Sequence, residues 1–277
     1  MNNERAARIR WLAVGLFVIS ISIANAQDSD YDEDRQRFSY RVGGQFFSDF
    51  TSRVRIDSET LGLGTELVME DEFSLEESIQ VLRFDGSFHF GRRHGIFFSL
   101  YDIGRDGSRI TERDIQFGDE FFPAGSEVVS EFNQDIIKLA YGYQFLDKPR
   151  LDMSASFGLH TMRFDTTLRS LDGSRDQMQD ADVPLPVFGL QGSYRFTPKW
   201  RLVGSFEWFD VQVGDFDGTF LDALVSIEHN TFDKVGFGFG FNHFGLDVVA
   251  GDKNLRGLID LKFDAAVFYV KGEFGDR

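Results

Sequence analysis

Charged side chains recur at alternate positions through much of this chain, and both signs are present in nearly equal number. Arg41, Arg83, Lys138, Arg195, Arg201 and Lys271 stand against Asp85, Asp152, Glu207, Glu228 and Glu273. If these positions share one enclosed interior, two chemistries follow: a selective path for ions or small solutes, or a salt-bridged plug. Unpaired charges are costly away from water, so opposite signs facing across a narrow space favour the plug or a very narrow pore.

Other groups suggest weaker chemistry. Asp57, Glu59, Glu66, Glu70, Asp71, Glu72, Glu76 and Glu77 crowd one segment. Carboxylates hold calcium or magnesium, but this spacing is not that of a calcium-binding loop, and no specific metal site is expected. Leu61, Leu63, Leu67, Val68 and Met69 share the segment and suit a lid or an apolar contact. His243 and Asp247, with Asp210, Asp215 and Asp217, would allow a histidine to activate water. They lack a His-x-Ser element or paired aspartates, so the expected class is non-enzymatic. His89, His94, His160 and His229 show no ligand spacing. Cysteine is absent, which excludes disulfides, thiolate metal sites and thiol nucleophiles. No cofactor is expected.

The elements that would position these groups are strands. Mean hydropathy is −0.23 over 277 residues, with 42% hydrophobic positions, so the chain is neither disordered nor obviously membranous. A pI near 4.7 argues against nucleic-acid binding. Phenylalanine is the anomaly: 32 residues, alongside 28 glycines and five prolines.

The N-terminus reads as a secretory signal. Arg5, Arg8 and Arg10 precede an apolar run, Trp11 to Ile23, and Ala24-Asn25-Ala26 supplies a small-x-small cleavage pattern. Removing residues 1–26 would take the net charge from −16 to −18, because Glu4 leaves with the three arginines. The run is shorter than the roughly 20 residues of a membrane-spanning helix. Residues 27–36 form an acidic leader.

From 37 to 274 the hydrophobic period is two. Tyr40, Phe84, Tyr143, Tyr194, Trp200, Phe206, Trp208, Phe268 and Phe274 fall on the apolar face, opposite the charged set. Ten segments alternate: 37–47, 82–90, 95–104, 136–145, 151–160, 188–196, 200–208, 221–229, 235–244 and 255–274. Bulky apolar faces bounded by aromatics, with small polar faces opposite, describe a barrel with its apolar side outward. Short connections such as Gly91 to His94 alternate with longer ones at 57–76, 114–125, 170–184, 214–219 and 250–254. The expected fold is therefore all-β: a single antiparallel transmembrane β-barrel of ten strands, with short periplasmic turns and longer external loops. Asp106-Gly107 would otherwise suit a hairpin turn; the parity makes it part of a strand continuing above the membrane.

Gly192-Ser193-Tyr194-Arg195-Phe196, the turn Thr197-Pro198-Lys199-Trp200 and the closing row Phe268, Val270, Phe274 resemble the OmpA/OmpW-like small outer-membrane β-barrels of Gram-negative bacteria. That family usually finishes on the aromatic, whereas residues 275–277 overhang here. The resemblance implies the cell outer membrane as location, contact with lipid and lipopolysaccharide, and recognition of the last strand by the assembly machinery. It implies no activity, because such barrels include anchors, pores and enzymes. The expected role is a structural element of the envelope or a narrow solute path; alternatives are a barrel that binds or passes a small hydrophobic ligand, and a rim hydrolase.

Overall fold

Alternation becomes ten long strands, each hydrogen-bonded to its neighbours in sequence. The computed structural model describes residues 36–214, 216–251 and 256–276. The secretory signal over 1–26, the leader up to residue 35, Asp215, 252–255 and the final residue of the overhang lie outside the described residues. The strands are β1 (Gln36–Ile56), β2 (Leu67–Val68), β3 (Gln80–Phe90), β4 (His94–Ile110), β5 (Ile115–Phe117), β6 (Glu120–Phe122) and β7 (Glu127–Asp147). They continue as β8 (Leu151–Ser170), β9 (Asp176–Arg195), β10 (Trp200–Val213), β11 (Phe216–His229), β12 (Val235–Gly251) and β13 (Arg256–Asp276). One short helix, α1 (Met69–Phe73), follows β2. Leaving out the short β2, β5 and β6, the order is β1-β3-β4-β7-β8-β9-β10-β11-β12-β13. Pairing of β13 with β1, from Phe38↔Phe274 to Ile56↔Gly257, closes the barrel. Asp106 and Gly107 pair with Glu131 and Ser130, inside the β4–β7 ladder rather than at a turn.

Several strands are far longer than a membrane crossing. β7 has 21 residues, whereas a tilted crossing takes about 9–11. The excess projects beyond the apolar band, and there the polarity of the wall reverses. In the periplasmic half, outward positions are apolar: Leu139, Phe157, Phe188, Phe206, Phe239 and Phe268 are exposed on the outer surface. Beyond them the outward positions are polar, including Asp102, Asp135, Arg163, Asp210, His243 and Asp264. The inward positions there are apolar and buried, among them Ile103, Ile136, Phe164, Phe209, Phe244 and Phe263. The phenylalanines are thus divided between the outer wall and this interior core, not concentrated outside as the period-two pattern suggests. The period persists while the solvent on each side changes.

A bulge keeps β1 in phase with that reversal. The register slips between Ser48 and Thr51, and Asp49 takes a left-handed backbone with φ 54°. Inward positions are odd up to Phe47 and even from Phe50 onward. Asp tolerates this conformation better than a branched residue does.

The external connections after β8 and β10 are shorter than the sequence pattern suggests, because β11 reaches back to Phe216 and β9 to Asp176. Pro184 and Pro186 lie within it, and prolines usually demote a strand. They are accommodated because β9–β10 pairing stops at Phe188↔Trp208, leaving that edge without a ladder to lose. The last strand, for its part, continues to Asp276.

Two external loops fold into the barrel mouth. Leu67 and Val68 pair with Val54 and Arg53, and Leu67, Met69, Phe73 and Leu75 are buried. The hairpin β5–β6 adds buried Ile115, Phe117 and Phe122. Backbone and side-chain bonds stitch the loops together: Thr65 N–H donates to the Gln116 carbonyl at 2.8 Å, and Gln116 N–H donates to Thr65 Oγ1 at 2.9 Å. Asp119 accepts from Ser58 Oγ at 2.7 Å and Thr60 Oγ1 at 3.1 Å, and these bonds hold its carboxyl below the usual range. Of the apolar lid residues, Leu67 and Met69 are enclosed, Val68 is half-buried, and Leu61 and Leu63 stay exposed.

Candidate functional site

The barrel interior is the candidate site, and it is layered. At the periplasmic end lies a polar vestibule of about 220 Å³, lined by Arg41, Asp85, Asp152, Arg195 and Arg201 among others. Their positions follow from strand parity: each sits on the inward phase of β1, β3, β8, β9 or β10.

Glu228 of β11 anchors the largest charge cluster and is fully buried. It receives Arg41 Nε at 3.0 Å, Lys271 Nζ at 3.2 Å and the Tyr269 hydroxyl at 2.7 Å, together with Arg201. Glu273 takes Arg201 Nη2 at 2.6 Å and Lys271 Nζ at 3.2 Å. Tyr269 lies against Gly238, where an added Cβ would collide with the ring. That glycine is what lets a tyrosine lie across the lumen wall.

Nearby, Arg83 Nε donates to Asp85 at 3.0 Å, and Ser99 donates to Asp85 at 2.7 Å. An amide relay runs beside them and ends on a carboxylate: Gln45 Nε2 donates to Asn242 Oδ1 at 2.7 Å, and Asn242 Nδ2 donates to Asp222 at 2.6 Å. Lys138 pairs with Glu207, whose other oxygen lies 3.2 Å from His160 Nε2. Asp152 accepts from Ser193 at 2.6 Å, and Arg195 reaches the Pro149 carbonyl at 3.5 Å. The expected lumen set is therefore inward throughout, but it forms several local clusters rather than one chain. Sequence reasoning did not pick out Tyr269, Asn242, Asp222 or His160 as members. Their one signal was an inward phase next to charged neighbours.

Above this layer the interior is apolar. Phe47, Phe50, Phe132, Phe244 and Phe263 fill it with the two loops, and Phe244 stacks on Phe263 at 4.4 Å between ring centroids. One ion pair is embedded there. Arg105 Nη1 donates to Glu70 of α1 at 2.6 Å, its guanidinium lies 3.8 Å over the Phe50 ring, and Ser52 N–H donates to Glu70 at 2.9 Å.

The aromatic set lies outward. Tyr40 and Phe274 approach at 6.1 Å, Phe206 and Trp208 at 5.5 Å, and Phe84 and Phe98 at 5.7 Å between centroids. Trp200 packs on His229, and Tyr143 packs on His94. Tyr194 pairs with Leu202 and Leu151 in register, and Phe268 is exposed. An apolar surface this continuous would not be stable facing water.

The rim candidates do not converge on the lumen. His243 meets Asp264 at 2.7 Å on the outer wall, both exposed. Asp210 and Asp247 are each paired in register to Thr219, with β11 between their strands, and Asp217 accepts from Gln212 at 3.4 Å. Several acids of the first loop meet arginines instead of a cation site: Glu66 meets Arg53 at 3.2 Å, and Glu72 meets Arg113 at 2.7 Å. Among the described residues, no three His, Asp or Glu side chains converge as metal ligands.

Comparison with solved structures supplies the context. The outer-membrane protease OmpT of Escherichia coli superimposes with a TM-score of 0.55 at 12% identity, covering 86% of this chain and 96% of that one. The fold is that of an outer-membrane β-barrel. The translocator domain of the autotransporter NalP from Neisseria meningitidis is also similar, with a TM-score of 0.45 at 11% identity over 98% of both chains. Ail of Yersinia pestis gives 0.37 at 9% identity, covering 85% of this chain and 99% of that one. No protein-family model and no curated protein sequence matches the chain. At such identities the likeness describes the barrel and leaves its activity open.

Proposed function

We propose that this outer-membrane barrel is a non-enzymatic structural element of the envelope, closed to the outside and open only toward the periplasm. The observation that carries this reading is the apolar closure of the external half, where Met69, Phe73, Phe117 and Phe122 from two loops pack fully buried against the wall. The ion pair embedded in that layer, Arg105 and Glu70, is already satisfied by itself, and the apolar packing around it raises a large solvation barrier to a passing ion. The apolar residues of the first loop are used in this closure, which favours it over passage of a hydrophobic ligand. The separation of His243 from the lumen favours a non-enzymatic role.

In the same reading, residues 1–26 direct export. The outward aromatic set contacts lipid, with lipopolysaccharide at the external edge. The Phe268, Val270, Phe274 row of β13 is what the assembly machinery recognises. The OmpA/OmpW-like affinity rests on the Gly192–Phe196 strand and the turn after it. Reconstitution into planar bilayers tests the closure. The expected record is electrically silent; steady, ohmic conductance steps would overturn it.

A further inference from the structure

We propose that the periplasmic vestibule is a binding site for a small oxyanion, a ligand whose carboxylate or phosphate oxygens only accept hydrogen bonds. This goes beyond the structural role above and does not depend on whether the barrel conducts. Six Lys and Arg side chains line the vestibule against four Asp and Glu, and Glu207 and Glu228, buried behind the lining, pair with Lys138, Arg41 and Arg201. The imbalance lies in hydrogen bonds rather than in charge, because each lining carboxylate already has a donor. Asp85 is held by Arg83 and Ser99, Glu273 by Arg201 and Lys271, Asp152 by Ser193, and Asp147 by Gln144 Nε2 at 3.2 Å.

The donors are not used up in the same way. Arg41 gives its Nε to Glu228, and neither of its Nη groups has a hydrogen bond among the described residues. Arg201 gives Nε and Nη2 to Glu228 and Glu273, and its Nη1 has no hydrogen bond among the described residues. Lys148, on the turn at the mouth, is exposed and its ammonium has no ion pair among the described residues. Arg41 and Arg201 grip the two oxygens of one buried carboxylate, Glu228. Their guanidinium planes are therefore fixed before any ligand arrives, which lowers the ordering cost of binding. A guanidinium fork matches the geometry of carboxylate or phosphate oxygens, and low-dielectric walls strengthen the attraction. The vestibule ends blindly below the apolar layer, so a ligand entering from the periplasm would be held rather than passed on.

The test is calorimetric titration of the purified, folded full-length barrel in zwitterionic detergent, with inorganic phosphate in one arm and citrate in the other. Saturable binding of either anion is expected, weakening as sodium chloride is raised. Whichever arm binds assigns the ligand class as phosphate or carboxylate. Arg41→Gln should weaken binding about tenfold, the loss expected from one charge-assisted hydrogen bond. Lys148→Gln should weaken it less, and Lys262→Gln, on the outer wall, should leave it unchanged. Lys148 is on an exposed turn, so its variant decides the matter if Arg41→Gln does not fold. Absence of saturable binding by both anions overturns the proposal, as does unchanged affinity in the folded vestibule variants. Bilayer conductance is a separate readout, so failure here leaves the closed-barrel reading standing.

Discussion

The two loops that plug the barrel mouth are tied to its wall by one buried ion pair among their other contacts. Arg105 has no exposed side-chain surface and Glu70 only 6%. Changing Arg105→Met keeps most of the volume between Phe50 and Phe132 but leaves the Glu70 carboxylate buried with Ser52 N–H as its remaining donor. Breaking a buried pair from one side costs about 3–5 kcal/mol. The surviving Ser52 N–H bond puts this case near the lower figure. About 3 kcal/mol shifts local opening roughly a hundredfold. Cleavage after Glu72, half-buried in α1, by a glutamate-specific protease reads that opening, whereas Glu59, Glu66, Glu76 and Glu77 are exposed in the closed loop. Where opening is fast relative to cleavage, the rate follows the open population. Mass spectrometry should show cleavage after Glu72 in folded Arg105→Met at about a hundred times the rate of the unaltered protein. Adding Glu70→Leu should return the rate close to the starting value, since an apolar pair can replace a buried ionic one. Equal rates in all three proteins would refute the idea that this pair latches the plug.

Two further outcomes are expected. Phe206→Arg should impair folding into lipid vesicles by about 2–4 kcal/mol at mid-membrane, whereas Ser205→Arg, facing the vestibule, should be tolerated; equal urea midpoints would contradict the assigned facing. In the external 171–175 turn, Asp172 accepts from Ser174 N–H and from the Ser170 and Ser174 hydroxyls, which lowers its pKa to about 2. Its contribution to the turn is fully present above the unfolded value of about 3.9 and is lost as pH falls toward 2. NMR titration of this carboxylate should give that low midpoint, and a value at or above 3.9 would remove the turn's acid sensitivity.

The local chemistry of the chain determined a good deal. Strand parity follows from covalent geometry, since successive side chains must point to opposite faces. That was enough to count ten strands, to assign Phe206 outward and Glu207 inward, and to keep Asp106-Gly107 inside a strand. Parity does not say what medium each face meets. In the periplasmic half the inward partners are Glu228 and Arg41; in the external half they are Phe244 and Phe263, with Asp264 outside. One alternating sequence serves both arrangements, so the reversal appears only once the strands are aligned around a closed barrel.

The same limit hid the ion pair beneath the expected lid and the partners within the charge network. Glu70 reads as one of a run of solvated acids until the fold brings Arg105, 35 residues away, to its side. Glu228 meets Arg41 across 187 residues because β13 pairs with β1 and closes the ring. Residues 170–184 read as a connection, yet β9 runs through Pro184 and Pro186, whose missing donors are harmless only because pairing with the neighbouring strand ends at Trp208. Sequence determined which residues share a face; tertiary closure decided which faces share a solvent, because burial and pairing depend on neighbours that the local pattern does not contain.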